Sequence, residues 1–293
     1  MKTVISGRIR SFDEDNRIIS IYCRDRIRYF YIQRSLLNHI GKFLDLNRFV
    51  QFTIAEGTRP LDGHIVQTIN YFIKIMEIRY RKNIVYYDVK NIKEGTRKLI
   101  NSLDYKMFLD LEMSMHPYRQ NPDFIQEIIQ VGYLIVDAKD NVVATYNQVV
   151  QPTIHKRLSR RTTKFLDLTQ EDIDNGIPFE AFYEHFREVI NKYNPAIIVW
   201  GRNDFLALRQ GYKVNKLPSL HKHTRYINLL KLHKNYFHLK NDLGLFNALR
   251  LYEEDDNSQS HNAFEDAQVT YRIFKGFADV LNHRIRVDVS QYK

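Results

Sequence analysis

Residues 107–113 read Met-Phe-Leu-Asp-Leu-Glu-Met. Five apolar side chains in seven positions predict a strand, and in a strand alternate side chains share a face. Asp110 and Glu112 then point one way, while Leu109, Leu111 and Met113 point the other. Two carboxylates on one face of an apolar strand repel each other, and each disfavours the other's ionisation unless a cation sits between them. A hard divalent ion is the simplest remedy, because Mg²⁺ prefers oxygen ligands and often takes only one or two carboxylates. The plain alternative is a face open to solvent, where the pair carries no chemistry.

Downstream of this strand, EIIQVGYLIVD (127–137) and NVVATYNQVVQP (141–152) read as two more strands with a short polar break between them. A basic loop, HKRLSRRTTK (155–164), and an acidic segment, LTQEDIDNG (168–176), follow. PFEAFYEHFREVINKY (178–193) has helical periodicity and leads into AIIVW (196–200), a short apolar run of buried-strand type. DFLALRQGYKV, INLLKLHKNYF, the stretch around LGLFNALRLY and the long HNAFEDAQVTYRIFKGFADVLN (261–282) read as helices. Three strands in a row, then helices around a further strand, predict an α/β domain with a mixed sheet over 104–282. Residues 283–293 form a tail without assignment.

Upstream the pattern changes. Residues 1–78 hold five short runs rich in β-branched and aromatic residues: VISGRIRSF, RIISIYC, IRYFYI, RFVQFTI and HIVQTINYFIKI. One helix-compatible stretch, SLLNHIGKFL, interrupts them. Five strands and one helix predict a small β-barrel of the OB type, and the opening Gly7–Phe12 and Tyr29-Phe-Tyr31 resemble cold-shock and other OB-like strands. Phe12, Tyr22, Tyr29 and Tyr31 interleave with Arg8, Arg10, Arg24, Arg26 and Arg28. Rings on a cationic barrel hold single-stranded nucleic acid by stacking; the alternative, true for part of any such set, is that the rings fill the barrel core. Residues 79–103 read as a basic linker or short helix.

Charge follows the same division. The net charge is +10, and residues 1–103 carry 19 Lys and Arg against 10 Asp and Glu, whereas 104–293 carry 25 against 24. A basic first third suits a polyanionic partner, although it also suits simple solubility. No apolar run approaches the roughly 18 residues of a membrane span, so no membrane partner is expected. The opening MKTVISGRIRSFDEDN has no apolar secretory core, and Cys23 is the only cysteine, which excludes an internal disulfide and a cysteine-based zinc site. The cytoplasm is the expected compartment.

Two further fragments carry acidic chemistry. Asp204 follows the strand AIIVW and a Gly201 turn at a helix start. Alone it reads as a helix cap, or as a metal ligand delivered at the carboxyl end of a sheet strand. Asp266 lies among Ala263, Ala267 and Thr270, on the packed side of its helix, where a carboxylate is costly unless paired or metal-bound. His261 stands where a polar loop, EEDDNSQSH, meets that helix. Its near-neutral pKa suits proton abstraction from water, although alone it reads as an exposed loop histidine.

Together the order D-x-E, a distant D, then H-x-x-x-x-D resembles the DEDDh branch of the DEDD 3′→5′ exonucleases, which includes ribonuclease T and oligoribonuclease. The matching residues are Asp110, Glu112, Asp204, His261 and Asp266. Asp110-Leu-Glu-Met-Ser114 is similar to the DLEMT of oligoribonuclease, with Ser for Thr, and Glu127-Ile-Ile-Gln-Val-Gly132 is similar to the family's EIIxIG strand. Leu168-Thr-Gln-Glu-Asp-Ile173 lacks the glycine of LTGIT, and Asn228 stands where Asp is common.

The resemblance implies a ribonuclease H-like sheet and two Mg²⁺ or Mn²⁺ ions held by Asp110, Glu112, Asp204 and Asp266. It implies His261 as general base, and release of 5′-mononucleotides from single-stranded nucleic acid, RNA favoured over DNA. Leu111, Met113 and Ser114 are then expected near the terminal nucleotide, Arg160 and Arg161 on phosphates, and Phe12, Tyr29 and Tyr31 on the strand in the barrel. Glu127 reads as a strand-edge charge, or else as a residue supporting the metal ligands from behind. A binding or regulatory protein that keeps the fold with little catalysis is the alternative. Oligomeric state is not encoded in any motif.

Overall fold

The computed structural model describes residues 3–23, 26–80, 82–118, 123–166, 168–220, 224–253 and 261–292. Arg24 and residues 254–260 of the polar loop before His261, both cited above, lie outside the described residues. The chain divides into two compact units, Met1–Gly95 and Thr96–Lys293.

The first unit is a closed barrel. Its elements are β1 (Val4–Asp13), β2 (Ile18–Cys23), β3 (Arg26–Ile32), α1 (Arg34–Ile40), β4 (Phe49–Ile54), β5 (Arg59–Leu61), β6 (His64–Glu77) and β7 (Ile84–Asp88). Strand β1 lies antiparallel between β2 and β4, β2 pairs with β3, and β4 pairs with β6. A parallel pairing of β3 with β6 closes the ring. Five strands with a helix between the third and fourth ring members match the OB-like expectation. Period-two alternation sends Ile9, Ile19, Ile21, Phe30, Phe52, Phe72 and Ile75 inward, which seals the barrel.

Two strands were not legible as such. β5 is three residues with Pro60 at its centre, paired to β6. β7 lies inside the stretch read as a basic linker, yet it pairs with β6, and Lys74 bridges Asp88 at 2.9 Å. The barrel sheet therefore runs to Asp88 rather than to residue 78. The remainder of that stretch is helix α2 (Val89–Asn101), the short-helix alternative of the sequence reading, and it buries Ile100.

The second unit holds β8 (Lys106–Met113), β9 (Ile128–Val136), β10 (Val142–Gln151), α3 (Arg160–Leu166), α4 (Gln170–Asp174), β11 (Ile177–Pro178), α5 (Phe179–Tyr193), β12 (Ala196–Val199), α6 (Asn203–Val214), β13 (Arg225–Asn228), α7 (Leu229–Phe237), α8 (Leu245–Leu249) and α9 (Ala263–Leu281). The sheet order is β11-β10-β9-β8-β12-β13. β8 is antiparallel to β9 and parallel to β12, so the sheet is mixed. One face packs Phe108, Leu134 and Val136 against Ala267, Ile273, Phe274 and Phe277 of α9. The other packs Met107, Leu109, Leu111 and Val131 against Phe182 and Phe186 of α5 and Leu208 of α6. Each such side chain contributes about 1.5–3 kcal/mol by leaving water, and together they hold the central strand rigid beneath the carboxylates.

Local signals set several boundaries. Thr169 and Asp172 form a reciprocal capping box on α4, and Asn228 caps α7 by accepting from the Lys231 amide at 2.8 Å. The basic stretch read as a loop contains helix α3. The unassigned tail packs Val289 into the core beneath α9. Among the described residues, no helix is long and apolar enough to cross a membrane.

Candidate active site

The central strand β8 supplies the first two carboxylates. Asp110 and Glu112 share a face, as alternation requires, while Leu109 and Leu111 are buried on the other. Neighbouring β12 ends at Val199, so β8 extends past it. There the Leu111 amide donates to Asp204 Oδ1 at 3.1 Å. Asp204 lies in the first turn of α6, reached through Gly201, whose φ of +119° suits glycine. The helix-cap reading does not apply to Asp204: the cap position is Arg202, and the Asp204 carboxylate is spent on β8.

Helix α9 supplies the fourth carboxylate, and β9 aims it. Gln130, opposite Glu112 in the ladder, accepts from the Ala263 amide at 3.3 Å through Oε1. Gln130 Nε2 donates to Asn147 at 3.2 Å. Asn262 caps the helix by accepting from the Phe264 and Glu265 amides. Gly132, opposite Asp110, leaves room for the α9 backbone to lie on the strand. Asp266 is thereby buried at 8 % exposure, and its Oδ1 has no hydrogen-bond partner.

These elements bring Glu112, His261 and Asp266 together, with one ligand atom of each lying within 4.8 Å of the others. Asp110 and Asp204 stand outside that trio but act on it electrostatically. Burial, then the charges of Asp204, Asp266 and Glu112, holds Asp110 well above the usual carboxylate range. Glu112 is pushed up to about 7 by burial and then by Asp266 and Asp204. Burial, Glu265 and Asp204 push Asp266 up to about 7. Asp204 rises to about 6 through burial, opposed by its backbone hydrogen bonds, including that from Leu111. Burial lowers His261, which favours its neutral form. No ion pair to these carboxylates occurs among the described residues. A cluster of frustrated oxygen donors, one of them orphaned, fits a hard divalent cation.

The other expected residues fall in varied places. Leu111 is in the core, and Met113 packs partly against it. Ser114 is buried, accepting from the Glu127 amide at 3.0 Å while its own amide donates to the Glu127 carbonyl at 2.9 Å. Arg160 and Arg161 are exposed on the first turn of α3. Arg160 lines a cavity of about 390 Å³ together with Ser114, Phe124 and His155. Phe12 packs against the barrel core. Tyr29 stacks on His64 at 3.8 Å, and Tyr31 lies under the guanidinium groups of Arg59 at 4.0 Å and Arg17 at 5.0 Å.

Glu127 is no strand-edge charge. It is buried, and its carboxylate accepts from the amides of Thr153 at 2.6 Å, Ile154 at 2.9 Å and His155 at 2.8 Å. It thus ties the segment before α3 to the end of β8. The sequence reading favoured the strand-edge charge for Glu127 and missed the roles of Gln130 and Asn262. The only available signals were a glutamate before an apolar run and an Asn one residue before a helix.

Comparison with known proteins agrees with this geometry. A family model described as Exonuclease (RNase T) matches residues 107–274. The "Probable 3'-5' exonuclease KapD" of Bacillus subtilis (strain 168) is 32 % identical over 170 residues, covering 58 % of this chain and 82 % of that protein. The "3'-5' exoribonuclease 1" of Rattus norvegicus is 22 % identical over 269 residues, covering 80 % of this chain and 76 % of its own. Among solved structures, the nuclease domain of 3'hExo, described as a DEDDh family member bound to rAMP, superposes with a TM-score of 0.54 at 20 % identity, covering 64 % of this chain and 97 % of that one. Cell-death related nuclease 4 (CRN-4) gives 0.53 at 20 % identity, covering 64 % and 67 %. With its carboxylates and histidine gathered at the carboxyl end of the central strand, the chain belongs to the RNase T exonuclease family, the hydrolytic 3′→5′ exonucleases.

Proposed function

We infer that this protein is a divalent-metal-dependent 3′→5′ exonuclease that releases 5′-mononucleotides from single-stranded nucleic acid, RNA before DNA, in the cytoplasm. The observation that carries the reading is the convergence of Glu112, His261 and Asp266 within 4.8 Å beside Asp110 and Asp204. The preference for RNA draws on the relative named as an exoribonuclease and the neighbour described with rAMP.

Asp110, Glu112, Asp204 and Asp266 are the residues that would hold the metal, two ions in all. Mg²⁺ or Mn²⁺, when bound, supplies Lewis-acid stabilisation of the charge that builds on the scissile phosphate and the departing oxygen. His261, kept neutral by partial burial, accepts a proton from the attacking water at an imidazole nitrogen. The water oxygen bonds to phosphorus, the bond to the 3′-oxygen of the penultimate nucleotide breaks, and that oxygen takes a proton from solvent to leave as a hydroxyl. Arg160 and Arg161 neutralise phosphates along the strand, and Met113 and Ser114 lie beside the terminal nucleotide. In the barrel, Tyr29 and Tyr31 stack bases, with Arg59 and Arg17 beside Tyr31.

The test is digestion of 5′-labelled and 3′-labelled single-stranded RNA and DNA, with Mg²⁺, with Mn²⁺ or with EDTA. Mononucleotides should leave only from free 3′ ends, faster from RNA, and not in EDTA. Attack from the 5′ end defeats the proposal.

A further inference from the structure

The ring of Phe165 lies on the imidazole of His261, with centroids 4.0 Å apart and planes inclined by 24°. Phe165 does not serve the core. It is 48 % exposed, and α3 buries Thr162 and Leu166 instead. His261 makes no hydrogen bond through its imidazole among the described residues, so the stack is its lateral restraint. The backbone next to it is fixed by Asn262 at the start of α9, but a fixed backbone leaves the side-chain rotamer free.

The mount behind Phe165 is built from the segment that directly follows the strand carrying the carboxylates. The Met115 amide donates to Thr162 Oγ1 at 2.9 Å, and Ser159 Oγ donates to the Met115 carbonyl at 3.0 Å. Ser159 Oγ also accepts from the Thr162 amide at 3.1 Å, closing the first turn of α3. Met115 is three residues beyond Glu112. A short chain of hydrogen bonds therefore runs from the segment after the metal-site strand into α3, and α3 presents Phe165 to the imidazole.

We propose that Phe165 is a positioning residue that holds the His261 ring against the Glu112–Asp266 pair. The proposal rests on His261 acting as the general base. A ring that fixes a base in its reactive pose acts on turnover and leaves ground-state binding of the strand unchanged.

The experiment is steady-state kinetics on a single-stranded RNA oligonucleotide with Mn²⁺, for wild type, Phe165→Ala, Phe165→Tyr, His261→Ala and the double variant Phe165→Ala/His261→Ala. Phe165→Ala should lower kcat by about tenfold or more with KM within about twofold, and Phe165→Tyr, which keeps the stack, should restore kcat. The double variant should be no slower than His261→Ala alone, because the two residues act as a unit. The proposal is overturned if Phe165→Ala slows the His261→Ala background by its full factor, or if its loss falls on KM, which would mean that the ring meets the substrate. Wild-type kcat in His261→Ala sinks the general-base reading itself, an outcome distinct from either of these.

Discussion

Gly132 faces Asp110 across the β8–β9 ladder, and helix α9 rests on it: a Cβ at this position would lie 2.1 Å from the main-chain nitrogen of Phe264. The atoms in the way are backbone, at the turn that carries Asp266 toward Asp110. Gly132→Ala should therefore push α9 outward, costing about 3 kcal/mol, the upper end for overpacking. It should also lower kcat by roughly a hundredfold, as a displacement of about 1 Å can do. Thermal unfolding and single-strand digestion measure the two effects; a variant with wild-type activity contradicts the close approach.

Asp204 separates a structural from a chemical role. Asp204→Asn keeps an oxygen for the Leu111 amide, so the fold should persist. Losing the charge should cost several kcal/mol of metal-assisted stabilisation, or more than about a hundredfold in kcat. Asp204→Ala should lose the same activity and a further 1–3 kcal/mol or so of stability, because the buried amide is left unpaired. Equal unfolding midpoints for the two variants would show that the hydrogen bond carries no weight.

The carboxylate cluster makes stability depend on pH in a definite direction. Glu112 and Asp266 rise to about 7 and Asp204 to about 6, whereas in the unfolded chain carboxyls titrate near 4. Between about pH 4 and 7 the folded protein thus holds protons that the unfolded chain lacks, and stability from these groups falls as pH rises. His233 opposes the trend: burial lowers it to about 4, so its contribution grows with pH over part of the same window. Comparison with Glu112→Gln isolates the cluster. In EDTA the wild-type melting temperature should fall relative to the variant from pH 5 to pH 7.5, and Mn²⁺ should reverse that fall by binding the folded state. A pH-independent difference refutes the frustrated cluster.

Much of this site was legible in the sequence because its signals are local. Period-two alternation placed Asp110 and Glu112 on one face of β8, and the small residues around Asp266 marked it as packed. What stayed hidden depends on partners far along the chain. Asp204 has a cap-like position that only the motif order marked as a candidate ligand, and its contact with Leu111, 93 residues away, was not legible. Glu127 looks like a charge at a strand edge until the 153–155 amides fold over it. In the barrel, β7 was masked by the basic side chains around it, and β5 by Pro60 in a three-residue strand. Where a surface is highly charged, burial of one face leaves too weak a periodic signal to read.

Glu127 tests the mount of α3. Glu127→Ala leaves the Thr153, Ile154 and His155 amides without their acceptor, at about 1–3 kcal/mol for each amide that finds no water. The melting temperature should fall by several degrees, at roughly 2–4 °C per kcal/mol for a chain of this size. Activity should fall with it, since α3 carries Phe165. Unchanged stability would show that the segment is held by other means.

The barrel's role is open to a substrate-length series. Replacing Tyr29 and Tyr31 together by Ala should raise KM for long single strands by about tenfold or more, given about 1–3 kcal/mol per stacked base. Dinucleotide cleavage should not change. Equal effects on both substrates would place the rings in folding rather than in binding.

On the proposed function, the carboxylates and His261 form one metal-holding hydrolytic centre. The most direct measurement is Mn²⁺ binding by calorimetry together with mononucleotide release, for wild type and Asp266→Asn. The prediction is binding and release by wild type and loss of both in the variant. Full release in EDTA, or Mn²⁺ binding that Asp266→Asn leaves intact, would contradict it.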